Sequence, residues 1–181
     1  MKKFITMAFA LSFILCACSS VPAPISPTES PTEDISTETE VVVEGETEYE
    51  ETSLYTADGY SIYIPDDKYE IIPSNINLTD KHSVTFWRAK ENEAVTFSVS
   101  FTADETEIEA ISRLEADGFA VTGDKEAGYT FMEIYALDIT TKVRIYESPM
   151  GTYMLSYTYP LDAEEGFGSR LAKIMDTFEL I

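Results

Sequence analysis

Apolar and polar residues alternate most cleanly over 94–101. Val95, Phe97, Val99 and Phe101 face one way there, while Thr96, Ser98 and Ser100 face the other. That pattern predicts a strand with one buried face and one wet face. Residues 84–88 precede it as the first arm of a hairpin, joined through Lys90-Glu91-Asn92-Glu93. Upstream, 59–65 places Tyr60, Ile62 and Ile64 on one face, and Pro65 ends its pairing. A short strand at 69–72 is again stopped by a proline.

Over 102–117 the period becomes helical, with Ile108, Ile111 and Leu114 recurring and Ala110 beside them. Thr102 or Asp104 is the expected cap, with Glu105 or Glu107 three residues on. Gly118 stands where helices commonly end in a left-handed residue. Strands return at 119–122, 129–136, 139–147 and 152–159, the last two joined by Ser148-Pro149-Met150-Gly151. A second helix is predicted at 161–176, with Phe167, Leu171, Ile174 and Met175 as its stripe and Asp162 and Glu165 as a capping box. Phe178, Leu180 and Ile181 then pack or form a last strand. Strands dominate, and helices at 104–117 and 161–176 flank them. The expected class is α+β, mainly an antiparallel sheet.

The first residues follow neither period. Lys2 and Lys3 form a basic start, 4–15 is apolar except for Thr6 and Ser12, and Ala17 offers a small residue before a cut. This is the order of a secretory signal peptide. A transmembrane helix needs about 20 apolar residues, and Ser19 and Ser20 end this run too early. Leu15-Cys16-Ala17-Cys18 resembles the lipobox of bacterial lipoproteins: a branched apolar residue, a tolerant position, a small residue, then the modified cysteine. Leu15 is too large to precede a modified Cys16, so Cys18 is the lipidation candidate and 1–17 the signal peptide. The resemblance implies a diacylglyceryl thioether on Cys18, holding the chain on the extracytoplasmic face of the cell membrane. Two or three acyl chains anchor stably where one binds only marginally. The alternative is a freely secreted protein cut near Ala17. Cys16 would leave with the signal, which excludes disulfides, thiolate catalysis and cysteine-ligated metal from the mature chain.

Residues 18–53 read as a tether. Pro22, Pro24, Pro27 and Pro31 stiffen its first part, and ten acids from Glu29 to Glu51 follow without a Lys or Arg. Apart from Val41-Val42-Val43 it has no burial pattern, so disorder is expected. As a coil of this length it would span about 30–35 Å, and charge repulsion would extend it. A calcium-collecting or partner-binding tail is the weaker reading, because metal sites need ligands held in a defined geometry.

Residues 54–181 are then a single α+β domain of ordinary size. Its 23 acids against 10 basic residues argue against nucleic acid and against adsorption to anionic membranes. The opening Gly59-Tyr60-Ser61-Ile62-Tyr63-Ile64-Pro65, the strand Tyr153-Met154-Leu155-Ser156-Tyr157 and the closing Ile174-Met175-Asp176-Thr177-Phe178-Glu179 resemble the PsbP-like domain, over most of residues 57–181. That resemblance implies an antiparallel sheet flanked by helices, with noncatalytic envelope, assembly and protein-binding roles. It carries over no functional residue set.

Candidate chemistry is sparse. His82 is the only histidine, within the polar run Thr79-Asp80-Lys81-His82-Ser83, and is expected in an exposed loop. One histidine without cysteine makes no familiar zinc site, and Ser83, its neighbour, would point away from it on a strand. No Gly-x-Ser-x-Gly elbow occurs. Asp66-Asp67, Glu91/Glu93 and Glu164-Glu165 are the closest carboxylate pairs, and turn or helix-start positions suit capping and solvation better than acid–base work. The glycines between Gly118 and Gly128 fit a hairpin turn better than a phosphate loop. No catalytic residue, cofactor or metal site is therefore expected.

Aromatic residues leave two readings open. Tyr153, Tyr157 and Tyr159 share a strand face, with Tyr129, Tyr135 and Tyr146 on nearby strands and Trp87-Arg88 as an anchor pair. They form either an ordinary core or a surface for a peptide, sugar or protein. The expected protein is a membrane-anchored surface lipoprotein with a noncatalytic binding or accessory role in the cell envelope. Its partner would be an envelope protein or a small ligand, not nucleic acid. The rival is a carboxylate-dependent enzyme acting on cell-wall polymer. A solute receptor is disfavoured, because one domain of this size lacks two lobes around a cleft.

Overall fold

The computed structural model describes residues 36–43, 46–57, 59–73, 81–122 and 129–181. In chain order the strands are β1 (Ser36–Val43), β2 (Glu46–Ala57), β3 (Tyr60–Ile64), β4 (Tyr69–Ile71), β5 (His82–Ala89), β6 (Thr96–Ala103), β7 (Ala120–Val121), β8 (Thr130–Ala136), β9 (Ile139–Ser148), β10 (Gly151–Pro160) and β11 (Glu179–Leu180). Helix α1 (Glu107–Ala116) lies between β6 and β7, and α2 (Ser169–Asp176) precedes β11. Seven strands form an antiparallel sheet in the order β4-β5-β6-β10-β9-β8-β7. A smaller antiparallel sheet runs β1-β2-β3-β11.

The period of two decides which side chains meet. Phe97 lies opposite Tyr157, and Val99 opposite Leu155, so both strands turn these residues to the same face. That face packs on Tyr60, Ile62 and Ile64 of the small sheet and on Leu171, Ile174 and Met175 of α2. The opposite face is covered only in part. There α1 sets Ala110 and Leu114 on Met132, Val143 and Ile145.

The mainly antiparallel sheet with two helices matches the expectation. The tether does not. Residues 36–43 and 46–53, expected to be disordered, form β1 and most of β2, and the boundary placed at residue 54 falls inside β2. Residues 1–35, including the signal peptide and Cys18, lie outside the described residues. Pairing explains the difference: β1 and β2 satisfy each other's backbone, and β2 continues the ladder onto β3, a core strand. Val41 and Thr52 are buried. So is Glu50, whose Oε1 lies 2.9 Å from Lys68 Nζ and 2.6 Å from Arg170 Nε. Neither Glu50 Oε1 nor Arg170 Nε has an aligned hydrogen bond to the other. The contact is thus an attraction of charges brought together by three distant segments.

Both helices are shorter than predicted. Thr102 and Ala103 remain in β6, and α1 is capped by Thr106 rather than Thr102 or Asp104. Thr106 and Glu109 exchange bonds in a capping box, which satisfies donors that a frayed first turn would leave open. Ile108, placed in the buried stripe, is 73% exposed. With Thr106 as the cap, Ala110 and Leu114 define the inner face instead. Gly118 does take a left-handed φ of 95° after the helix. The second helix begins as a 3₁₀ turn (Leu161–Ala163) and a wide turn (Glu164–Gly168) before α2, and the Asp162–Glu165 capping box does not form. Gly166 and Gly168 disfavour a regular α-helix over that stretch.

Candidate functional site

Residues with chemical potential are dispersed. His82 opens β5 rather than lying in a loop, is half-buried, and sets Nδ1 3.1 Å from Thr102 Oγ1. Ser83 follows it on the same strand and is exposed on the other face. Asp66 and Asp67 sit in the turn after β3, where the Asp66 carbonyl accepts from Lys90 Nζ at 2.5 Å. Glu93 lies 3.5 Å from Arg88, whose other partner is Glu70 at 2.8 Å. Glu164 accepts from Tyr159 Oη at 3.3 Å. The three carboxylate pairs therefore occupy separate turns. Among the described residues, no group of three or more His, Cys, Asp or Glu side chains could hold a metal. The glycine-rich stretch at 123–128 lies outside the described residues.

The aromatic residues are mostly core. Trp87, Tyr153, Tyr157 and Tyr159 are buried, and Tyr55 meets Trp87 edge-on at 5.1 Å. Burial pushes the Tyr157 hydroxyl up to about 12 and raises those of Tyr60, Tyr69 and Tyr159 further. Such phenols stay neutral near pH 7 and serve as packing. Arg88 turns away from Trp87 to its acidic partners, so the anchor pair is divided between two faces. Arg144 is tied to Asp176 at 2.6 Å and lies 4.6 Å from the Tyr129 ring centroid. Two tyrosines are exceptions among the described residues: Tyr135 is 58% exposed at the end of β8, and Tyr49 on β2 is 67% exposed.

Among the described residues, two surfaces stand out beside scattered exposed apolar side chains such as Tyr49, Ile108 and Met150. One is the part of the large sheet that α1 leaves uncovered. Its hydroxyls bond to each other across strands: Ser98 to Ser156 at 2.8 Å and Thr141 to Thr158 at 2.9 Å. The other is the connection between β8 and β9, which has only two residues, Leu137 and Asp138. Their φ angles are 53° and 62°, as in a type I′ turn, where Asn-Gly is the usual choice. A branched leucine in that conformation costs about 1–2 kcal/mol. Leu137 recovers none of this by burial, since it is 94% exposed. Tyr135, Ile139 and Leu161 are exposed apolar neighbours at the same end, and Leu161 N–H donates to the Asp138 carbonyl at 2.9 Å. This tip was missed from the sequence. The signal was present, because the predicted strands at 129–136 and 139–147 leave a two-residue gap holding neither glycine nor asparagine.

No protein-family model matches the chain, and no curated protein matches its sequence. Its fold is similar to the solution structure of cyanobacterial PsbP (CyanoP) from Synechocystis sp. PCC 6803. The TM-score is 0.53 at 9% identity, over 72% of this chain and 92% of that one. A crystal structure from Bacteroides thetaiotaomicron VPI-5482 aligns with a TM-score of 0.43 at 12% identity, over 67% of this chain and 45% of that one. The fold is PsbP-like, as the core motifs implied. The likeness to CyanoP is one of fold.

Proposed function

We propose that this chain is a lipid-anchored protein of the cell envelope with a noncatalytic binding or accessory role. The reading is carried by how the side chains are used. Most aromatics are packed inward, the acids are dispersed or tied to cations, and the outward-facing features include half-buried paired hydroxyls and an exposed apolar tip. Such surfaces hold a partner better than they move protons. The PsbP-like fold and the lipobox-like Leu15-Cys16-Ala17-Cys18 support the same reading. Cys18 is the residue assigned to the anchor. A Cys18→Ala variant should shift from the membrane fraction to the soluble fraction. Retention on the membrane would refute the anchor, and steady turnover of wall polymer by purified chain would refute the noncatalytic role.

One feature favours the rival enzyme reading. An open depression of about 560 Å³ lies between the start of α1 and the β9–β10 turn, with Asp104, Glu105 and Glu147 on its wall. Two of the three acids are occupied. Lys81 hydrogen-bonds Asp104 and holds its carboxyl below the usual range, and Arg113 lies 3.2 Å from Glu105. Hydrolysis of a glycoside needs one acid raised in pKa, the opposite of Asp104. Binding is the better-supported role.

A further inference from the structure

We propose that the β8–β9 tip is the docking element of this domain, and that it seats in an apolar pocket of a partner protein rimmed by lysine and arginine. The inference rests on the binding role above and names the surface that carries it. Leu137 breaks two local rules at once. It takes a φ of 53° that its side chain disfavours, and it leaves that side chain 94% exposed. Neither choice serves the fold, and a strained residue held in place by its surroundings is characteristic of ligand clamps and recognition segments. Tyr135, Ile139 and Leu161 widen the apolar area around it. The backbone bond from Leu161 to Asp138 and the Ala136–Ile139 pair keep the tip rigid, so little freedom is lost when it docks.

Charge selects the occupant. Asp138 is at the tip itself, Asp162 follows Leu161, and Glu164 and Glu165 open the wide turn that comes next. Glu133 accepts from Tyr135 Oη at 3.1 Å and stands opposite Lys142 in the strand register, so a cation lies across from that one acid. The remaining field is negative. An anionic lipid surface would be repelled, and a second copy would bring the same acids face to face. A pocket with an apolar floor and a basic rim meets both requirements.

The test uses the full, membrane-held chain with a benzophenone amino acid at Tyr135, irradiated in the cells that export it. Mass spectrometry then maps the residue captured. The expected result is a protein adduct at an apolar pocket bordered by Lys or Arg. Adding Leu137→Asn should lower it at least about tenfold while raising the melting temperature, which separates lost contact from lost fold. In washed membranes about 0.5 M salt should also suppress it, because exposed charges are screened. Adducts only to lipid or to a second copy, a pocket without basic residues, no adduct, or an adduct indifferent to Leu137 or to salt would each overturn the proposal. A second probe at Ser98 separates the two levels. Capture there with a silent tip sinks the docking element and keeps the binding role, whereas silence at both sites sinks the docking element, and wall-polymer turnover then sinks the binding role as well.

Discussion

Glu50 and Leu137 each sit where their residue type is least expected, and they differ in what surrounds them. Glu50 is a carboxylate that is only 5% exposed, inside a segment whose composition reads as disordered. Its cost is offset within the chain by Lys68 from the β3–β4 turn and Arg170 from α2. Leu137 is an apolar side chain in solvent on a strained backbone, and no described contact offsets it. The difference separates two meanings of a broken rule. A violation matched by partners inside the molecule is architecture, and one left unmatched points to something outside it.

The harshest way to break the comparison is to remove the core beneath both regions. Tyr60, Tyr69, Tyr157 and Tyr159 have raised pKa values because burial opposes the phenolate. A raised tyrosine pKa stabilises the fold fully below the unfolded value near 10, and that contribution is lost as pH climbs through the folded value. With Tyr157 at about 12, cooperative unfolding is expected between about pH 10 and 12, followed by circular dichroism together with phenolate absorbance. Smooth titration of all tyrosines at pH 10 without unfolding would contradict the buried assignment.

Next in size is Glu50→Gln, which leaves two cations without their counter-charge and should cost about 3 kcal/mol in urea unfolding. A loss under about 0.5 kcal/mol, the range of ordinary surface sites, would mean the N-terminal hairpin is not clasped as described. Replacing Leu137-Asp138 by Asn-Gly runs the other way and should stabilise the domain by about 1 kcal/mol. Destabilisation instead would show that the tip serves the fold after all. The smallest effect belongs to Lys81→Ala, which removes an exposed 2.8 Å pair with Asp104. Stability should not change measurably, since such pairs contribute little in water.

The sheet was legible because its strands bury one face and wet the other. The alternation at Val95, Phe97 and Val99 survives unchanged into the core. Gly118 was legible for a similar reason, a local conformation that favours one residue type. The start of α1 was less so: Thr102, Asp104 and Thr106 are all capable caps, and β6 pairing consumed the first of them. The docking tip left its trace as a spacing, two residues between strands, whose meaning depends on the φ angles it imposes.

Period and local conformation are properties of neighbouring residues, so the chain alone determined its α+β class and most of its strands. It determined too that the tyrosines of β10 share a face, without saying whether that face is inside. Tertiary structure decided the rest. It turned an acidic run into a paired hairpin by bringing Lys68 and Arg170 to Glu50, which are 18 and 120 positions away. Electrostatic compensation of that kind acts through space, and no window along the sequence contains it.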